Sequence, residues 1–72
     1  EKATFESLSP RQREILQLIG EGLTNQEIAD RLSLSIHTVQ AHRGHIMDKL
    51  GLHTRAQLVS YAARIGLLSD PG

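Results

Sequence analysis

Leu23-Thr24-Asn25-Gln26-Glu27-Ile28-Ala29-Asp30-Arg31-Leu32-Ser33-Leu34-Ser35-Ile36-His37-Thr38-Val39 decides how this chain folds. Thr24 with Glu27 three residues on is a capping box. Leu23 before the cap and Ile28 after it form a hydrophobic staple. Ile28, Ala29 and Leu32 then share one face of a short helix at about 25–32. Ser33-Leu34-Ser35 leaves only three residues before the next start. Ser35 caps that start, and Leu34 with Val39 repeats the staple. Val39, Ile46 and Leu50 recur at i, i+7 and i+11, which predicts a helix at about 36–50 that Gly51 closes.

A short capped helix, a three-residue turn and a longer capped helix match the helix-turn-helix unit. In that unit the first helix braces the second, and the second enters the DNA major groove. The bracing needs small Ala29 at the crossing and apolar Ile28, Leu32, Leu34 and Val39 between the helices. Ser33 stands where many such units carry Gly.

Outward from this pair the punctuation continues. Leu8-Ser9-Pro10-Arg11-Gln12 offers a Ser cap, Pro at the first helical position and Gln three residues after the cap. Ile15, Leu16 and Ile19 follow at helical spacing, and Gly20 and Gly22 can end a helix at about 10–20. Thr54 with Gln57 opens a fourth helix at about 55–65, which Gly66 is expected to end. In that helix Leu58, Ala62 and Ile65, with Val59 at the edge, face the core, and small Ala56, Ser60 and Ala63 form the opposite stripe. The expected fold is an all-α four-helix bundle. It occupies 8–68, between an N-terminal tail at 1–7 that includes Phe5 and a C-terminal tail at 69–72.

Composition bounds what remains. Seventy-two residues make one small domain, and with 3% aromatics its core is aliphatic. No cysteine is present, which removes disulfides and thiolate zinc sites. No apolar run approaches the roughly 18 residues of a membrane span, and no signal peptide is visible. The chain starts at Glu1 rather than Met, which reads as a piece of a longer protein. Net charge is zero, but its distribution is not even. Residues 1–34 carry six acids and four bases, and residues 35–64 carry four bases, one acid and all four histidines.

The outer face of the 36–50 helix follows from 100° per residue. His37, Ala41, Gly44 and Asp48 lie nearest its pole, with Gln40 and His45 on the shoulders. Gln pairs bidentately with adenine, an Ala methyl touches the thymine methyl, and Gly44 admits close approach. Arg43 and Lys49 flank the core face, within reach of phosphates, and Arg55 is a further cation in this half. The start of the 25–32 helix offers free N–H groups at Thr24 and Asn25. His42 falls where a packed, hydrogen-bonded residue is expected. His42 and His45 point about 60° apart, so no metal site is expected. No nucleophile–base pair or carboxylate pair calls for an enzyme, and no cofactor is implied.

The motifs Leu8-Ser9-Pro10-Arg11-Gln12-Arg13-Glu14-Ile15-Leu16, Gly22-Leu23-Thr24-Asn25-Gln26-Glu27-Ile28-Ala29, Ser35-Ile36-His37-Thr38-Val39-Gln40-Ala41-His42-Arg43 and Ile46-Met47-Asp48-Lys49-Leu50-Gly51 fall in order along the chain. Together they resemble the LuxR-type helix-turn-helix domain, and the His42 to Lys49 stretch is most similar to the FixJ-type response regulators. The resemblance covers about 7–68. It implies the cytoplasmic DNA-binding output domain of a bacterial transcription regulator of the two-component kind, governed by an N-terminal receiver or sensor domain. It implies base contacts from Gln40, Ala41 and Gly44, and phosphate contacts from Thr24, Asn25, Thr38, Arg43 and Lys49. It also implies a homodimer on double-stranded DNA through the fourth helix, with Ala56, Ser60 and Ala63 in the seam. RNA polymerase is a further candidate partner. Gln40 and Gly44 depart from the longer polar residues of many relatives, so no relative's target sequence carries over. The competing readings are a protein-binding helical module and a sigma-factor-like promoter-reading domain. The fourth helix argues against the second.

Overall fold

A computed structural model describes residues 7–69. Residues 1–6 of the expected tail at 1–7, Phe5 among them, and the residues after Ser69 lie outside the described residues. Four helices follow in order: α1 (Pro10–Gly20), α2 (Asn25–Leu32), α3 (Ile36–Leu50) and α4 (Arg55–Ser69). No strand occurs among the described residues.

Each start is built as its sequence predicts. Ser9 Oγ accepts from the N–H of Gln12, and Gln12 Oε1 accepts from the Ser9 N–H. Thr24 and Glu27 make the same reciprocal pair at 3.1 and 2.8 Å. Ser35 Oγ accepts from the Thr38 N–H at 3.1 Å. At α4 the Thr54 hydroxyl accepts from the Gln57 N–H, and the Gln57 side-chain Oε1 accepts from the N–H groups of His53 and Thr54.

Three helix ends share one closure, in which a residue in the left-handed region turns the chain and two N–H groups reach back to the last carbonyls. Gly22 does this for α1 at φ 93° and Gly51 for α3 at φ 70°. Leu23 N–H bonds the Leu18 carbonyl, and Leu52 N–H bonds the Met47 carbonyl. Ser33 closes α2 in the same way at φ 58°, ψ 44°, sending the Leu34 N–H to the Ala29 carbonyl at 2.8 Å.

The core holds Leu8, Ile15, Leu16, Leu18, Ile19, Ile28, Ala29, Val39, Ile46, Leu50, Leu58 and Ala62. α4 packs chiefly on α1, and α3 rests on both α1 and α2. Three expectations need correction. α4 does not stop at 65 but runs through Gly66 to Ser69. A helical Gly costs only about 1 kcal/mol against Ala, and Leu67 and Leu68 are strong helix formers. Val59 does not join the core edge; it is 41% exposed. Gly20 does not terminate α1 by a left-handed turn but is its last helical residue, and Gly22 makes the turn.

Candidate nucleic-acid interface

The site grows from the packing of α2 under α3. Ile28 and Ala29 of α2 are buried, and Leu32, Leu34 and Ile36 are half-buried against the core. This apolar seam fixes the roll of α3. Val39, Ile46 and Leu50 turn inward, so the opposite face must turn outward.

That outward face is free of large apolar side chains. His37, Gln40, Ala41, Gly44, His45 and Asp48 are all exposed. A Cβ built on Gly44 would meet nothing within 4 Å. No protein neighbour demands a glycine there, so the small residue leaves open space on the surface. Gln40, Ala41 and Gly44 therefore share one unobstructed face, as their spacing requires.

The flanks carry the polar groups expected to meet phosphate. Thr24 and Glu27 satisfy each other, which leaves the N–H groups of Asn25 and Gln26 as the open donors at the start of α2. Asn25 is half-buried, and its Oδ1 is buried without a protein donor. Thr38 is half-buried, its hydroxyl 2.9 Å from that of Ser35. Arg43 is half-buried. Burial first, and the positive charge of Arg55 second, hold its guanidinium below the ordinary arginine range. Lys49 is exposed, and its ammonium donates to the Ser7 carbonyl at 3.0 Å. Sequence reasoning missed this tether, since 42 residues separate the pair and no local pattern reports it. His42 is packed as expected, but its Nδ1 is buried without a hydrogen-bond partner, which corrects the expected hydrogen-bonded histidine.

The acids gather elsewhere. A shallow groove of about 570 Å³ between α1 and α2 is lined by Glu21, Glu27 and Asp30, with Arg31 as its one cation. A polyanion would be repelled there. Ala56, Ser60 and Ala63 are all exposed on α4. Ala56 and Ser60 line a groove of about 550 Å³ with Leu52, Tyr61 and Arg64. Among the described residues, no cluster of three metal-ligating side chains occurs, and no helix is long and apolar enough to cross a membrane.

Residues 6–62 match the family described as bacterial regulatory proteins, luxR family. The chain is 52% identical over 64 residues to the oxygen regulatory protein NreC of Staphylococcus aureus strains JH9, JH1 and Mu3. Each match covers 89% of this chain and 30% of the relative, so the chain spans under a third of the length of these curated relatives.

Proposed function

The chain belongs to the LuxR family of bacterial regulatory proteins and is a DNA-binding domain rather than an enzyme, and from that premise we propose that it is the output domain of a cytoplasmic response regulator that reads double-stranded DNA with α3. In this reading α3 lies in the major groove. Gln40 pairs with a base edge, the Ala41 methyl meets a thymine methyl, and Gly44 lets the helix approach. The start of α2 at Thr24 and Asn25, where the Asn25 N–H is open and the Thr24 N–H is already held by Glu27, the Thr38 hydroxyl, the Arg43 guanidinium and the Lys49 ammonium hold the phosphates to either side. For Lys49 this means that its bond to Ser7 yields to, or is shared with, a phosphate.

One recognition helix reads only a few base pairs, too few to single out a site in a genome. Two copies related by a twofold axis read two half-sites about one helical turn apart. The stripe Ala56, Ser60 and Ala63 supplies the seam. An N-terminal receiver or sensor domain controls whether two copies meet, and RNA polymerase is the partner on the promoter.

The observation that carries the reading is the outward face of α3, where Gln40, Ala41 and Gly44 lie exposed with open space over Gly44. Selection of bound duplexes from a random pool tests it. A preferred site should emerge, and Gln40→Ala should flatten the preference at one base pair of each half-site. A pool that never enriches would set the base-reading model aside.

A further inference from the structure

The chain enters α1 through a short segment that is pinned to the domain. Leu8 is buried in the core, only 3% exposed. The Ser9 N–H is held by Gln12 Oε1 at 3.1 Å. Next to them the Ser7 carbonyl accepts from the Lys49 ammonium at 3.0 Å, across 42 residues of sequence. An exposed lysine in the last turn of α3 is therefore tied to the entry of the domain.

The bond leaves the lysine able to serve a second acceptor. An ammonium has three donors, and the Ser7 carbonyl takes one. Among the described residues the ion pair is Arg11 with Glu14, and Lys49 makes none. Its other donors are open to solvent. Lys49 and Thr38 stand at i+11 and i, within about 20° of each other round α3, so they share one flank of the helix. In the docking reading both of them hold phosphate. A lysine free in solvent loses much rotamer freedom when a phosphate fixes it, whereas this one is fixed beforehand. A charge-assisted bond to phosphate can then be added without breaking the one to Ser7.

We propose that Lys49 bridges the Ser7 carbonyl and one phosphate of the DNA backbone at the same time, with Ser7 as the positioning residue. This rests on the docking reading above: the Ser7 bond is shared with the phosphate rather than given up to it. The consequence is a coupling. DNA holds the ammonium, the ammonium holds Ser7, and the entry segment becomes more ordered on DNA. By reciprocity, drawing Ser7 away from α3 weakens DNA binding by the factor by which DNA favours the tether.

The test follows the full chain on a random-sequence duplex of roughly two helical turns, by fluorescence anisotropy from about 50 to 200 mM salt and by the heteronuclear NOE of the Ser7 and Leu8 amides. Lys49→Met should weaken binding several-fold and make the plot of log affinity against log salt shallower, by up to about 0.9 for one lost phosphate. Ser7→Gly leaves every charge in place but loosens the carbonyl, and should weaken binding about two- to fivefold, the weight of one hydrogen bond. In the Lys49→Met background Ser7→Gly should cost nothing further, because its effect passes through the ammonium. Saturating duplex should raise the order of Ser7 in the parent and leave it unchanged in Lys49→Met. The bridge is overturned if duplex leaves Ser7 of the parent as mobile as before or more so, if Lys49→Met keeps parental affinity and slope, or if the Ser7→Gly loss persists without Lys49. Those outcomes leave the docking of α3 standing. Failure of the parent chain to bind any duplex would instead remove the docking reading and the bridge with it.

Discussion

Gly20 of α1 lies against the backbone of Ala62 of α4: a Cβ at position 20 would stand 2.6 Å from the Ala62 carbonyl oxygen and 2.8 Å from its carbon. The obstacle is main chain, which cannot rotate away. This crossing joins the first helix of the domain to the last, and the α1–α4 contact is the most extensive in the fold. Gly20→Ala should therefore destabilise the domain by about 1–3 kcal/mol, as overpacking does elsewhere. Urea unfolding should show a lower midpoint with an unchanged slope. An unchanged midpoint would mean that the two helices part at no cost.

Ser33 gives a prediction of opposite sign. It occupies the left-handed region that Gly22 and Gly51 occupy at the other two closures. A side chain there costs about 1–2 kcal/mol. Glycine removes that cost but gains freedom in the unfolded chain, worth roughly 0.5–1 kcal/mol. Ser33→Gly should stabilise the domain by up to about 1 kcal/mol, whereas Ser33→Val should destabilise it. Thermal unfolding of the two variants beside the parent decides the sign.

These two positions mark what could be read from the sequence. Caps, staples and closures join residues at most six apart, so Ser9, Thr24, Ser35 and Thr54 announce their helices, and the helix boundaries follow. The outward set Gln40, Ala41 and Gly44 also follows from spacing, because a helix with one buried stripe has one free face. Contacts across the fold are not local and leave no pattern. The fit of Gly20 on Ala62 and the tether of Lys49 to Ser7 depend on how the helices cross. Gly66 reads as an end because glycine is a common helix terminator. Without a reversal after it, the helix ran on.

Base reading and phosphate holding separate by mutation. Gln40→Ala should cost about 1–3 kcal/mol on the selected site and much less on random DNA. Arg43→Ala should weaken both about equally, since a phosphate carries no sequence. Paired titrations on the selected and the random duplex check this. Equal losses for Gln40→Ala on both would deny it a role in reading.

Assembly has its own signature. Ala63 is exposed, and Ala63→Glu would set two like charges face to face across the proposed seam. Binding to a duplex with two half-sites should lose its cooperativity, while binding to one half-site and the far-ultraviolet circular dichroism stay as they were. Equal losses on both duplexes would assign α4 a purely structural part.

The central claim is that DNA meets the outward face of α3 and the start of α2, and it is tested most directly by following backbone amide resonances of the labelled chain during titration with the selected duplex. The account predicts the largest shifts at Gln40, Ala41, Gly44, Asn25 and Gln26, smaller ones at Thr38 and Arg43, and silence at Glu21 and Asp30 in the acidic groove. Shifts concentrated between α1 and α2, with α3 unmoved, would contradict it.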